Sequence, residues 1–175
     1  MTLLIDMQER LMPVIHEAEG LVRRAGRLLA GCAALGSPYC VTQQYTRGLG
    51  HTVSELRPHL ERAHTTVEKS DFSAATPRVL ATLEAAGTES VILVGVETHI
   101  CVMQTALDLL AHGLQPVVCL DAVGSRRPVD RDAALRRMEA AGVLPATVES
   151  VLMEWCGTAS HPRFRAIRDI IASRS

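Results

Sequence analysis

Aromatic side chains are scarce in this chain of 175 residues, where one Trp, two Tyr and two Phe make up 3% of the sequence. So few rings disfavour a surface on which nucleic-acid bases stack. Lys and Arg number 18 against 19 Asp and Glu, which gives a formal net charge of -1. This balance favours neither nucleic acid nor an anionic membrane as a partner, and no apolar run reaches the length of a bilayer span.

Signals for disulfides, zinc and export are also missing. The five cysteines, at positions 32, 40, 101, 119 and 156, include no Cys-x-x-Cys pair and no cluster with histidine at zinc spacing. Reduced thiols in a cytoplasmic protein are the simplest interpretation. Met1 leads directly into an apolar run without the three regions of a signal peptide, although the abrupt start leaves a longer native N-terminus open.

Strand-like and helical patterns alternate along the whole chain, which we expect to form a single domain over residues 1–175. Apolar strand-like runs begin at Leu3, Tyr39, Thr65, Val91 and Pro116, and a mixed strand-like run covers 147–154. Helical patterns cover 17–35, 77–86, 98–112, 129–141 and 162–173. This alternation predicts a three-layer, doubly wound α/β fold with a mainly parallel sheet and helices on both faces.

The run from Val91 to Leu110 combines a buried strand with a cysteine near the start of a helix. Gly95 ends the strand, and the helical pattern that follows predicts Thr98 as its N-cap. Cys101 then falls in the first turn, where unpaired backbone N–H groups favour a thiolate and lower its pKa. The same groups could hold an oxyanion. The alternative is that Cys101 is a small core residue.

In parallel sheets, ligands bind outside the carboxyl ends of the strands. Asp6 ends the first strand, Lys69 ends the third and Cys101 follows the fourth, so these residues should share one rim. There Asp6 could act as a general base and Lys69 could hold the thiolate by its charge. Alternatively, Asp6 caps the next turn and Lys69 is an exposed strand-end lysine. Neither a GxGxxG nor a GxxxxGK[ST] motif is present, so we expect no nucleotide cofactor.

Three segments of the chain resemble the signature segments of the isochorismatase-like cysteine hydrolase superfamily, and within it the isochorismatase domain-containing proteins. The segments are Leu4-Ile-Asp-Met-Gln8, Glu68-Lys-Ser-Asp-Phe-Ser73 and Gly95-Val-Glu-Thr-His-Ile-Cys-Val102. The resemblance implies a six-stranded parallel sheet and a triad of Asp6, Lys69 and Cys101. It also implies a cis peptide between Val96 and Glu97, which would let the Glu97 and Cys101 N–H groups form the oxyanion hole.

The sequence departs from the superfamily pattern after the second strand. Nicotinamidases carry an Asp-x-His and a further His there as a metal site, whereas residues 42–51 contain one distant His and no Asp. We therefore predict no metal and doubt nicotinamidase activity. True isochorismatases do not use the cysteine nucleophile for vinyl ether cleavage, so Cys101 argues against that activity too.

Loop residues on the predicted rim are expected to shape a substrate pocket. These residues are Gln8, Gln44, Tyr45, Phe72, Val96, Thr98 and His99. Tyr45 and Phe72 are expected to wall an apolar slot, while His99 either takes part in catalysis, faces solvent or caps the helix. The other four cysteines are expected to be packing residues. The arginines at 126, 127, 131, 136 and 137 suggest a solvated face, a subunit contact or, less simply, an anion site.

Together these features predict a metal-independent cysteine hydrolase that acts on a small amide, carbamoyl or related acyl compound. Cys101 would attack the acyl carbon, two N–H groups would hold the oxyanion, and water activated by Asp6 would hydrolyse the thioester. The resemblance also implies a homo-oligomer. Two alternatives stay open: a non-catalytic small-molecule-binding protein, and a redox-sensing protein in which Cys101 is oxidised.

Overall fold

The computed structural model describes residues 1–173, in which six parallel strands form one sheet. The strands are β1 Thr2–Ile5, β2 Tyr39–Gln44, β3 Thr65–Lys69, β4 Ser90–Val96, β5 Gln115–Gly124 and β6 Leu144–Ala146. Their order in the sheet is β3-β2-β1-β4-β5-β6, and every neighbouring pair is parallel. The predicted doubly wound α/β fold with a six-stranded sheet is confirmed.

Helices connect these strands. Within residues 1–173 they are α1 Ala18–Leu35, α2 Thr46–Leu49, α3 Arg57–Leu60, α4 Pro77–Ala85, α5 Met103–Ala111, α6 Pro128–Ala140, α7 Val148–Cys156 and α8 Phe164–Ala172. A 3-10 turn covers Met12–Val14, and a π-helical turn, Thr98–Val102, precedes α5. In that same part of the chain, none of the helices combines the length and hydropathy that crossing a bilayer requires.

Two apolar cores lie on opposite faces of the sheet. Because side chains alternate along a strand, Leu4 of β1 packs into the core under α1, α7 and α8, while Leu3 and Ile5 pack toward α4, α5 and α6. Cys32 and Cys119 lie in the first core, and Cys40 lies in the second. The sheet is therefore covered on both faces, which leaves the ends of its strands as the places where polar side chains can gather.

The strand-like prediction for residues 147–154 is wrong, because most of this run belongs to α7. Thr147 caps the helix: its hydroxyl accepts from the Ser150 N–H at 3.2 Å, and the Ser150 hydroxyl accepts from the Thr147 N–H at 3.0 Å. This capping box favours a helix start at the point where the apolar residues Val148, Val151 and Leu152 lie three and four positions apart. The sixth strand is the short segment just before it.

Gly95 allows β1 and β4 to approach each other closely just before the strands end. It pairs with Ile5 and has a φ of 129°, and a Cβ at this position would collide with the Ile5 backbone. Only glycine adopts this conformation without penalty. The register with β5 also shifts between Leu93 and Gly95, so β4 is irregular where it delivers the chain to the π-helical turn.

Candidate active site

Three buried ionisable side chains lie at the carboxyl ends of the strands. Asp6 directly follows β1, Lys69 is the last residue of β3, and Cys101 lies in the π-helical turn after β4. Their exposed fractions are 0%, 5% and 6%. The expected shared rim is therefore present, and the alternative that Lys69 is an exposed strand-end lysine is wrong.

Asp6 is held by two side-chain donors. Its Oδ1 accepts from the Thr42 hydroxyl at 2.8 Å, and its Oδ2 accepts from the Lys69 ammonium at 2.6 Å. The carboxylate is thus engaged with β2 and β3 across the sheet rather than capping the turn that follows it. A buried carboxylate is stable only with such partners, since its charge has lost the solvation of water.

The Lys69 ammonium has three further acceptors within hydrogen-bond distance. These are the Gln44 side-chain oxygen at 2.7 Å and the backbone carbonyls of Phe72 at 3.0 Å and Asp71 at 3.2 Å. Gln44 in turn donates from its amide nitrogen to the Ser70 carbonyl at 2.7 Å. The loop after β3 therefore folds back on its own lysine and fixes the position of the charge.

The turn that carries Cys101 differs from the predicted capped α-helix. The N–H groups of Ile100 and Val102 both donate to the Glu97 carbonyl, at 3.1 and 3.2 Å, and α5 starts only at Met103. Thr98 is not the N-cap, because its buried hydroxyl makes no hydrogen bond within residues 1–173. Cys101 therefore lies in a π-helical turn, a form that often occurs at functional sites.

The prediction of a lowered thiol pKa is wrong. Burial raises the pKa of Cys101 to about 12, and the negative charge of Asp6 acts in the same direction. The positive charge of Lys69 and a backbone hydrogen bond from Glu97 oppose this rise in the pKa without cancelling it. At neutral pH the thiol is protonated, so a nucleophilic attack by Cys101 needs a base that removes the proton.

Glu97 links the turn before Cys101 to the segment after β5. The peptide bond between Val96 and Glu97 is cis. The Glu97 carboxylate is buried and accepts from the Arg126 N–H at 2.9 Å and from the Arg126 side-chain Nε at 3.1 and 3.2 Å. Two residues further on, the His99 ring nitrogen Nδ1 lies 3.0 Å from the Ser125 hydroxyl. Two successive residues beyond β5 thus contact this turn.

Comparison with known proteins places this geometry in a family. The family model described as the isochorismatase domain matches residues 1–150. The chain belongs to the isochorismatase family. Isochorismatase domain-containing protein 1 of Salmo salar is 43% identical over 167 residues, which are 95% of this chain and 58% of that protein. The chain thus spans less than two thirds of that relative's length.

Solved structures share the isochorismatase fold seen here. A structure described as MAR1 ribonuclease from Caenorhabditis elegans is 36% identical, has a TM-score of 0.93, and the match covers 99% of this chain and 89% of that one. YcaC from Pseudomonas aeruginosa, described with hexane-2,5-diol and covalent acrylamide, is 26% identical with a TM-score of 0.85. That match covers 97% of this chain and 87% of YcaC.

The residues predicted to line an isochorismatase-family pocket lie in different environments. Gln8 is fully buried, and its side-chain amide forms hydrogen bonds with backbone groups. The amide nitrogen donates to the Gln44 and Gly50 carbonyls at 2.9 and 2.7 Å, and the amide oxygen accepts from the Gln44 N–H at 2.7 Å. Gln8 therefore shapes the loop after β2. Val96 and Thr98 are also buried, beside the cis peptide.

The two aromatic residues expected to wall a slot are largely exposed. Tyr45 is 57% exposed and Phe72 is 55% exposed. The Tyr45 ring lies over Gly48, where any side chain would collide with it. A groove of about 900 Å³ lies elsewhere, against α1, and Asp6, Lys69 and Cys101 are not among its lining residues. With more than half of each residue exposed, Tyr45 and Phe72 do not form buried walls of an apolar slot.

Thr42 and Arg126 complete the site, and the sequence-based list lacked both. Thr42 could have been found, because it ends the run predicted as the second strand and so lies on the same rim as Asp6. Arg126 was assigned to a general basic face, and no spacing rule pairs it with Glu97, which lies 29 positions earlier. That contact depends on the path of the chain after β5.

Proposed function

We propose that this protein is a metal-independent cysteine hydrolase that acts on a small amide, carbamoyl or related acyl compound through a thioester. The observation that carries the proposal is the buried ion pair of Asp6 and Lys69, 2.6 Å apart, whose charges both act on the Cys101 thiol. A nucleophile beside an oriented base is the arrangement that covalent acyl transfer requires. Hydrolysis of an acyl compound is therefore the reaction class that this rim favours.

In the proposed first step, Asp6 takes the thiol proton as the sulfur of Cys101 attacks the acyl carbon. Lys69 stays charged and keeps Asp6 available as a base. The oxygen of the acyl group gains negative charge, which the N–H groups of Glu97 and Cys101 would stabilise. The proton then passes from Asp6 to the leaving amine, and the carbon–nitrogen bond breaks to leave a thioester.

In the second step, Asp6 takes a proton from water as the water attacks the thioester. The acyl–sulfur bond breaks, the acid leaves, and the proton returns to the sulfur. The raised pKa of Cys101 fits this cycle, because the thiol stays protonated until a substrate arrives. In the second step the sulfur has to leave the acyl carbon, and the proton that Asp6 returns to it makes this possible.

Two observations support a reactive nucleophile and the absence of a metal. Acrylamide, which adds to nucleophiles at its terminal carbon, is described as covalent in the relative YcaC, and this supports a nucleophile at the corresponding site here. Residues 42–51 carry one His and no carboxylate of their own, and the His51 ring nitrogen Nδ1 lies 3.3 Å from the Gln43 side-chain oxygen. This donor set suits a hydrogen-bonded loop better than a metal ion.

Intact-protein mass spectrometry tests the proposal. The protein is exposed briefly to a panel of small amides and carbamoyl compounds, alongside Cys101→Ala and the control Cys156→Ser, whose parent thiol is similarly buried. We expect an added acyl mass on the wild type and the control that disappears with time, and none on Cys101→Ala. Turnover that survives in Cys101→Ala would contradict the mechanism. Rapid oxidation of Cys101 without any acyl adduct would favour the redox alternative.

Ribonuclease activity is a second candidate, favoured by the 36% identity to the Caenorhabditis elegans protein described as MAR1 ribonuclease. The net charge of -1 and the 3% of aromatic residues weigh against a nucleic-acid substrate. End-labelled RNA incubated with wild type and Cys101→Ala separates the cases. Cleavage by the wild type alone would support this candidate, whereas equal cleavage by both proteins would indicate a contaminating nuclease.

A further inference from the structure

Glu97 contributes to the rim with its backbone and to the segment after β5 with its side chain. Its carboxylate is only 5% exposed and has three donor contacts to Arg126, one from the backbone N–H and two from the side-chain Nε. A buried carboxylate needs such donors, because it has lost its water. The side chain of Glu97 is therefore tied to one place on the neighbouring segment.

The Arg126 side chain is 56% exposed, and an ordinary surface ion pair contributes little to stability. This pair differs because its acidic partner is buried and because one of the donors is a backbone N–H. Ser125, the residue before, is itself fixed: its carbonyl accepts from the His16 N–H at 3.1 Å, and its hydroxyl contacts His99. The Ser125–Arg126 segment therefore contacts the turn before Cys101 at two residues, Glu97 and His99.

The backbone on either side of Glu97 is also fixed in place. Its carbonyl accepts from the N–H groups of Ile100 and Val102, and the preceding Val96 is in register with Gly124 of β5. Strand pairing fixes the chain before Glu97 and the π-helical turn fixes the chain after it. The carboxylate is the anchor that fixes the orientation of the residue between them.

We propose that the ion pair of Glu97 and Arg126 is a positioning device that holds the Glu97 N–H toward the sulfur of Cys101, ready for an oxyanion. This inference rests on the proposed function, since it assumes that an acyl oxyanion forms there. Neither side chain need touch the substrate, so both are positioning residues. A donor fixed in advance stabilises developing charge without reorganising, which is why loosening it should slow acyl transfer.

Two reactions of the same thiol separate positioning from general damage. Acylation by p-nitrophenyl acetate forms a sulfur–acyl bond through an oxyanion and releases p-nitrophenolate. Alkylation by iodoacetamide forms a sulfur–carbon bond by direct displacement of iodide, with the thiol proton released to solvent, and no oxyanion forms. A change that loosens the oxyanion donor should therefore slow the first reaction much more than the second, which loses only the effect of the Glu97 hydrogen bond on the thiol.

The variants are Glu97→Gln, Glu97→Ala and Arg126→Ala, with Arg127→Ala as the matched control. Arg127 is the adjacent exposed arginine, and it pairs instead with Asp130 at 2.9 Å. Removal of a whole oxyanion donor costs about 10²- to 10³-fold, so we expect loosening to slow acylation by about 10- to 100-fold, with Glu97→Ala slower than Glu97→Gln. Alkylation should change by less than about threefold in all variants, and Arg127→Ala should leave both rates unchanged.

The outcomes distinguish this inference from the proposed function. Equal losses in both reactions, or no loss of acylation in either Arg126→Ala or Glu97→Gln, would overturn the positioning role. A wild type that is alkylated at Cys101 but never acylated would remove the proposed function, and this inference with it. Arg126→Ala keeps the test decisive if the buried Glu97 variants fold poorly, because its side chain is largely exposed.

Discussion

Cys101 and Cys32 are both buried thiols, and burial is the largest cause of the raised pKa at each: about 12 for Cys101 and about 11 for Cys32. Their surroundings differ. The Cys32 sulfur lies 3.4 Å from the Thr2 hydroxyl in one apolar core, whereas Cys101 belongs to the other core and lies within range of the charges of Asp6 and Lys69.

The resting pKa therefore does not distinguish the proposed nucleophile from a packing cysteine in this molecule. Both thiols hold their protons at neutral pH, and a thiol without a base keeps its proton when an electrophile arrives. What separates the two is the carboxylate that can accept the proton from Cys101. The expected consequences differ for the two thiols, and the following changes test them in order of decreasing effect.

Asp6→Asn should have the largest effect, because it removes the base and keeps the size of the side chain. General base catalysis is worth about 10²- to 10⁴-fold, so we expect a loss of that size in acyl-group turnover. The pKa of Cys101, read from the pH dependence of its alkylation, should fall, since the Asp6 charge that raises it is gone. Cys32 serves as the internal control: it is fully buried and should resist alkylation in the wild type and in Asp6→Asn, provided that both stay folded. Unchanged turnover in Asp6→Asn would remove the distinction between the two thiols.

Lys69→Met should reduce the stability of the fold as well as the activity. Breaking a buried ion pair leaves an uncompensated charge and typically costs about 3–5 kcal/mol. Asp6 would also lose the donor that holds its Oδ2 in place, so turnover should fall as well. Urea denaturation measures the loss in unfolding free energy, and the matched control is Arg168→Met, which removes an exposed pair with Asp169. Similar stability in both variants would contradict a buried charge at Lys69.

Alkaline pH should destabilise the protein, because the buried thiols of both Cys32 and Cys101 have raised pKa values. The unfolded Cys32 thiol ionises near its ordinary pKa of 9.0, while the folded thiol stays protonated up to about 11. Unfolding is therefore favoured as pH rises through this window, by about 3 kcal/mol for a shift of this size. The unfolding free energies of wild type and Cys32→Ala should converge between pH 9 and pH 11. A constant gap between them would show that the folded thiol ionises freely.

The shared rim of Asp6, Lys69 and Cys101 could be predicted because it depends only on topology. Parallel strands end at one edge, so residues that end different strands meet there whatever the loops do. The sequence carries one further signal: Lys69 is the only lysine in a chain whose other basic side chains, histidine apart, are arginines. A lone lysine at a strand end already favours a specific role for its ammonium.

Features that depend on burial could not be read from the sequence. A position near a helix start predicts a lowered Cys101 pKa, but desolvation of the buried thiol outweighs the field of the turn and raises it. The β-branched residues of 147–154 suggested a strand, while the capping box at Thr147 decided for a helix. The exposure of Tyr45 and Phe72 is likewise set by the path of the loops, which no spacing rule supplies.

Thr42→Val should have the smallest effect of these changes. It removes a hydrogen bond that orients Asp6, the proposed base for Cys101. The Thr42 hydroxyl donates to Asp6 Oδ1 at 2.8 Å, and valine keeps its shape without the donor. Loss of a hydrogen bond to a charged acceptor costs about 1.5–3 kcal/mol, so we expect turnover to fall by about 10- to 150-fold. Thr42→Ser keeps the hydroxyl and should retain most of the activity, whereas alkylation at Cys32 should be the same in both. If serine and valine reduce turnover equally, shape at Thr42 matters and the hydrogen bond does not, and Asp6 would be oriented by Lys69 alone.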